Sequence, residues 1–255
     1  DVPVDGLLSS EYAALRRSLI DPAKAQANYP PGDPRGMHAV ASGHQAKESA
    51  AMAGAAGGEQ DGTTYISTVD SQGNLVSVTP SSFGGLAQGM ILGDTGILLN
   101  TRGCYFWLDP ENPNCIAPHK RPRTTPCTFI VLKNGQPFMS LGTPGGDSQA
   151  QCDLQVLSNI VDYGLNVQEA VEAPRFCGYS FPQSPWPHDE YPNRLVLEGR
   201  ISSSVADSLR DNGHDVEITG PWGITNGFTP ILMDQETGVY HGGADPRKES
   251  VMLGW

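Results

Sequence analysis

The apolar positions of SSEYAALRRSLI (residues 9–20) recur at helical spacing behind a serine cap, and Asp21-Pro22 stops the pattern, which predicts a surface helix. From Gln26 to Asp61 the chain carries PPGDPRG and AMAGAAGGEQ, rich in Pro, Gly and Ala and without lasting periodicity. That stretch reads as a long irregular segment or a linker. Alternation then begins sharply. TTYISTVD and NLVSVTP flank Ser71-Gln72-Gly73 as a hairpin. Further strands are predicted at GILLN (96–100), CTFIVLKNGQPFMSLG (127–142), RLVLEG (194–199), DVEIT (215–219), TPILMD (229–234) and GVYHGG (238–243), with a tight turn at Asn134-Gly135. Helical spacing returns over 147–163, where Leu154, Leu157, Ile160 and Val161 form one apolar face, and over 167–172 and 202–212. Hairpins with helices gathered between them predict an α+β layered sandwich rather than alternating βαβ units.

Composition narrows the function classes. A 255-residue chain that is 38% hydrophobic and 17% charged, with 30 Gly and 21 Pro, suits one globular domain with many turns and not a coiled coil. Its formal charge of -12 opposes phosphate backbones and anionic membranes, so neither nucleic acid nor a membrane is expected as a partner. No apolar run approaches the roughly 20 residues that span a bilayer, and DVPVDGLLSS lacks the regions of a signal peptide. A soluble chain is expected, with its true N-terminus upstream. Cys104, Cys115, Cys127, Cys152 and Cys177 are odd in number and widely spaced, which favours reduced structural thiols over a disulfide framework or a zinc pair. The six histidines lack H-x-x-x-H spacing, so no metal site is expected.

The border at Asp61-Gly62-Thr63-Thr64 admits two readings. A glycine before a hydroxyl residue makes an ordinary turn into a strand. Alternatively, a cut between Gly62 and Thr63 would give Thr63 a free α-amine beside its own hydroxyl. With a reference pKa of about 7.7–8.0, that amine can take the hydroxyl proton near neutral pH, so one residue supplies nucleophile and base. Gly62 would let the preceding peptide bend while the hydroxyl attacks its carbonyl. A second glycine pair stands in LGTPGGDSQAQ, which lacks the lysine of a P-loop and the spacing of a dinucleotide fingerprint. Between a strand and a helix beginning near Asp147, Gly145 and Gly146 expose N–H groups where negative charge can develop, or else form a plain strand-to-helix turn. No G-x-S-x-G elbow appears, which disfavours a Ser-His-Asp hydrolase.

TTYISTVDSQGNLVSVTPS, GILLNTRG, APHKRPRTT, GTPGGDSQAQ, YGLNVQEAVEAPRF and GADPR together resemble, in that order, the catalytic portion of the gamma-glutamyltransferase family of N-terminal-nucleophile hydrolases. The resemblance implies a four-layer αββα sandwich, cleavage before Thr63, and an acyl-enzyme on Thr63 resolved by water or an amine. It makes residues 1–62 the end of a large-subunit region and 63–255 the catalytic small-subunit region. The partner it implies is the upstream large-subunit region of the same precursor, the substrate is a small acyl amide, and no cofactor is needed. By the same match Ser81 bonds the nucleophile, Gly145 and Gly146 form the oxyanion hole, and Thr124 and Thr125 hold a substrate carboxylate. Lys120 and Arg121 read as a solvated basic turn, and Asp245 and Arg247 as structural. Arg102 and Tyr105 stand where the family places a glutamine and an acidic residue that grip the glutamyl α-amine. A cation cannot hold an ammonium. This departure resembles the branch that includes cephalosporin and glutaryl acylases. The alternative is a catalytically silent member that binds an acyl-like ligand or a partner.

Overall fold

Chain-order packing starts with two short helices, α1 (Val4–Leu7) and α2 (Ser10–Ser18), and the Ser9 hydroxyl caps the second by accepting from the Tyr12 N–H. The computed structural model describes residues 2–27, 30–39, 62–83 and 89–255. Within the irregular segment it shows one minimal hairpin, β1 (Gly32–Asp33) with β2 (His38–Ala39); the rest of that expectation, 40–61, lies outside the described residues.

The predicted hairpins form. β3 (Ile66–Val69) pairs antiparallel with β4 (Leu75–Val78), and the Asp70 carboxylate closes the turn by accepting from the N–H groups of Gln72 and Asn74 and from the Asn74 side chain. β5 (Thr128–Lys133) and β6 (Gln136–Gly142) meet through Asn134-Gly135, whose φ values of 55° and 77° are those a two-residue hairpin turn needs to match strand twist. GILLN does not extend into a strand. Among the described residues its only ladder contact is an isolated bridge from Leu98 to Ile91, and Ile97 is 60% exposed, so no packed face among them holds it extended.

After β6 come α3 (Gln149–Val161) and α4 (Val167–Glu172), the latter opened by a reciprocal Asn166–Glu169 capping box. Then follow β7 (Phe176–Gly178), β8 (Arg194–Glu198), α5 (Ser203–Asp211), β9 (Asp215–Thr219), β10 (Ile231–Met233) and β11 (Tyr240–Gly242). The chain is α+β. One antiparallel sheet runs β11-β10-β6-β5 and a second runs β7-β8-β9. In the second, β8 and β9 are parallel across α5, a single βαβ crossover that the expected hairpin-only layering did not include.

The core joins Met139 and Leu141 of β6 to Cys152, Val156 and Ile160 of α3, to Ala170 and Val171 of α4, and to Phe228. The expected inward face of α3 needs correction. Leu154 and Val161 are 63% and 57% exposed, whereas Gln149, Cys152, Asp153, Val156 and Ile160 are buried. Helical spacing was right, but the buried stripe runs through a cysteine and two polar residues, which hydropathy alone places outside.

Charge also lies inside. Arg247 grips Glu198 with a two-pronged contact of 2.6 and 2.7 Å, Asp245 pairs with both Arg175 and Arg247, and Arg200 adds a second cation to Glu198 at 2.9 Å. Burial pushes the Glu198 carboxyl up, but the hydrogen bonds and charge of Arg247 outweigh it and hold the group below its ordinary range. Asp245 and Arg247, almost fully buried, thus clamp α4 and β8 together. Among the described residues no helix is long and apolar enough to cross a membrane.

Candidate active site

Thr63 lies just before β3, where it forms an antiparallel bridge with Ser81 beyond β4. Flanking bonds from Thr64 N–H to the Pro80 carbonyl and from Ser82 N–H to the Gly62 carbonyl fix that register. Gly62 takes φ of 126°, a conformation that favours glycine. The bridge brings Thr63 Oγ1 to 2.7 Å from Ser81 Oγ. Ser81 Oγ also accepts from Arg102 Nη2 at 2.6 Å and from the Phe83 N–H at 3.2 Å. Arg102 in turn donates through Nη1 to the Tyr105 hydroxyl at 3.2 Å, and that hydroxyl lies 3.3 Å from Thr125 Oγ1. Both residues sit in the short 3-10 turn Arg102–Tyr105 and both are buried. Burial pushes the Tyr105 phenol up, against the opposing pull of the Thr125 hydrogen bond and the Arg102 charge. The guanidinium stacks near the Phe83 and Tyr105 rings, 5.6 and 5.5 Å from their centroids.

The glycine pair faces the same cleft. β6 ends at Gly142 and α3 begins at Gln149; between them Gly145 and Gly146 adopt φ of 139° and 56°, followed by a 3-10 turn over Gly146–Ser148. Neither glycine N–H donates to a protein acceptor among the described residues. Asn226, buried beside the same cleft, braces this turn: its Nδ2 donates to the Pro144 carbonyl at 2.8 Å and its Oδ1 accepts from Ser148 Oγ at 2.9 Å. A Cβ on Gly145 would stand 2.2 Å from that Nδ2. Asp147 anchors the next residue, accepting from Ser184 and pairing with Arg123 at 2.9 Å.

Gly62, Thr63, Phe83, Tyr105, Gly145, Gly146 and Asp147 all line one open cleft. Of the residues expected from the sequence, Thr63, Ser81, Arg102, Tyr105 and Thr125 form one hydrogen-bonded chain, with Gly145 and Gly146 on the same cleft. Ser81 and Arg102 are not wall residues, and Thr124 is exposed and bonds to none of the set. Asn226 was missed, since nothing local marks an asparagine as the brace of a turn some eighty positions earlier.

A family model for gamma-glutamyltranspeptidase matches residues 1–255. The chain belongs to the gamma-glutamyltranspeptidase family. It is 34% identical over 193 residues to a glutathione hydrolase-like proenzyme, YwrD, of Bacillus subtilis, covering 75% of this chain and 35% of that one. An oxamate amidohydrolase proenzyme of Klebsiella pneumoniae is 31% identical, with coverage of 78% and 37%. Among solved structures, cephalosporin acylase from Bacillus halodurans superposes with a TM-score of 0.77 at 30% identity, over 100% of this chain and 40% of that one. The chain therefore spans little more than a third of the length of the curated relatives it matches. Proteins named as a hydrolase, an amidohydrolase and an acylase are thus all similar to this chain.

Proposed function

We propose that the complete protein is an amide hydrolase or acyltransferase, cut before Thr63, that works through an ester on the Thr63 hydroxyl. The supporting observation is the contact of 2.7 Å between Thr63 Oγ1 and Ser81 Oγ in a cleft that also holds the unengaged N–H groups of Gly145 and Gly146. In this reading residues 63–255 form the catalytic subunit, 1–62 end the large-subunit region, and the full precursor completes a four-layer αββα sandwich. The freed α-amine takes the hydroxyl proton and Oγ1 attacks the substrate carbonyl carbon. The oxygen that gains charge is met by the two glycine N–H groups. The C–N bond then breaks, the departing amine leaves with the proton, and water or another amine attacks the ester to free Thr63. No cofactor enters these steps.

The acyl group in this reading lacks an α-ammonium. Arg102 and Tyr105 replace the family's glutamine and acidic residue, so an ammonium brought here would lose its hydration without gaining a carboxylate. Glutaryl-like amides fit better than gamma-glutamyl ones, with Thr125, which joins the hydrogen-bonded chain, offering its hydroxyl to a substrate carboxylate. The test is mass and N-terminal sequencing of the full-length precursor. A fragment beginning TTYIS, absent from Thr63→Ala, is the expected result; a wild type that is uncut yet fully active would overturn the proposal.

A further inference from the structure

Ser81 Oγ receives hydrogen bonds from two groups that have no lone pair to offer in return: the Arg102 guanidinium at 2.6 Å and the Phe83 backbone N–H at 3.2 Å. A hydroxyl has two acceptor sites and one proton. Both acceptor sites are filled, so the Ser81 proton goes to its one remaining neighbour, Thr63 Oγ1 at 2.7 Å. We propose that Arg102 is a positioning residue for the nucleophile: acting through Ser81, it fixes the direction of the Ser81–Thr63 hydrogen bond so that Ser81 donates and Thr63 accepts.

Two chemical consequences follow. The Thr63 proton is not shared with Ser81 and is left for the base. Negative charge gathering on Oγ1, when it attacks and again when the ester releases it, meets an O–H polarised by a cation one hydroxyl away. The surroundings of Arg102 suit this task. The side chain is held by its second nitrogen on the Tyr105 hydroxyl and flanked by two rings, and it does not line the cleft. Among the described residues no carboxylate stands within ion-pair distance of it, so its charge is not cancelled at close range. Tyr105 accepts from Arg102, and its hydroxyl also shares a hydrogen bond of 3.3 Å with Thr125 Oγ1.

The inference rests on Thr63 acting as nucleophile, and a double-mutant cycle in the full-length precursor separates the two ideas. Arg102→Met, Ser81→Ala and the double variant are compared in kcat/KM on a glutaryl anilide, normalised to the amount of TTYIS terminus, with thermal unfolding read alongside. Each single change lowers kcat/KM by about tenfold or more, as expected for loss of a charge-assisted hydrogen bond, and the double variant is no worse than Ser81→Ala alone. A structural role would leave the pH profile in place. Removing the cation instead moves the acid limb of kcat/KM up by about one unit, because a nearby positive charge disfavours the protonated α-amine, and Arg102→Lys moves it back. The other ionisable residues lining the cleft are Tyr65, Asp70, Tyr105, Asp147, Tyr179, Glu217, Tyr240, Arg247, Lys248 and Glu249, with Asp147 tied to Arg123 and Ser184, and none of them is altered. If Arg102→Met unfolds, Arg102→Leu takes its place in the cycle. Losses that multiply in the double variant, or an unmoved acid limb, overturn the relay while leaving Thr63 as nucleophile. A wild type that is uncut and inactive on amides overturns both.

Discussion

Asp153→Asn probes a buried acid that the reaction does not use. Asp153 points inward from α3 with 2% exposure, and neither carboxylate oxygen has a hydrogen-bond partner among the described residues. Burial pushes its pKa from 3.8 up to about 8, with the Arg175 charge pulling the other way. The folded chain therefore holds a proton that the unfolded chain releases above about pH 4. Stability is fully present below that value, falls as pH rises, and stops falling once the folded group ionises near 8. Each unit is worth about 1.4 kcal/mol, so the full loss is about 6 kcal/mol and the loss near pH 7 about 4. Asparagine keeps the shape and cannot titrate. The variant should match the wild type near pH 4 and exceed it by about 4 kcal/mol near pH 7, a shift of roughly 10 °C in Tm for a chain of this size. Urea and thermal unfolding in an uncut Thr63→Ala background, at about pH 5 and pH 8, measure this on one continuous chain. A stability gap that is the same at both pH values would refute the argument, because it would mean that Asp153 titrates alike in folded and unfolded chains.

Gly146→Pro deletes one N–H facing the cleft and should cost about 10²–10³ in turnover in a variant whose thermal unfolding shows it is folded. Gly145→Ala drives a methyl to 2.2 Å from Asn226 Nδ2 at a φ of 139°, so both maturation and turnover should fall, read as the fraction of TTYIS terminus and as kcat. Asp245→Asn leaves Arg175 buried without its counter-charge and should lower stability by about 3–5 kcal/mol in urea unfolding. On substrate choice, the mature enzyme should favour a glutaryl over a gamma-glutamyl anilide by at least about tenfold in kcat/KM, and Tyr105→Asp should narrow the gap; equal turnover of the two would place the amine's counter-charge elsewhere.

Local chemistry made much of this legible. Asn134-Gly135 named its own turn, the change from no period to alternation at Thr63 marked the start of the hairpin, and helical spacing over 167–172 marked α4. Where the signal was tertiary, reading failed. The three residues of β7 are too short to show a period, and the parallel pairing of β8 with β9 depends on how α5 packs. α3 hid its buried stripe behind Cys152 and Asp153. Ser81 was reached by resemblance, but its two additional donors, one from a residue some twenty positions later, come from folding alone. The exposed position of Thr124, beside a Thr125 that does join the hydrogen-bonded chain, shows how adjacent hydroxyls part once the backbone is placed.

The buried charge cluster sets an order on how the chain can be made. Arg175 lies in the interior, and its carboxylate, Asp245, comes seventy positions later; Glu198 likewise waits forty-nine positions for the fork of Arg247. Because a ribosome delivers residues in sequence, α4 and β8 reach the growing core while its charges are still uncompensated, and they cannot settle there until residues 245–247 have emerged. Asn226 repeats the pattern, since the turn that holds Gly145 and Gly146 is braced by a residue made some eighty positions after it. The hairpin bearing Thr63 can form early, but the scaffold around it closes late. If Thr63 is the nucleophile proposed above, a chain still under synthesis carries the threonine without its surroundings, and the order of translation would keep that chemistry silent until the whole of 63–247 is in place.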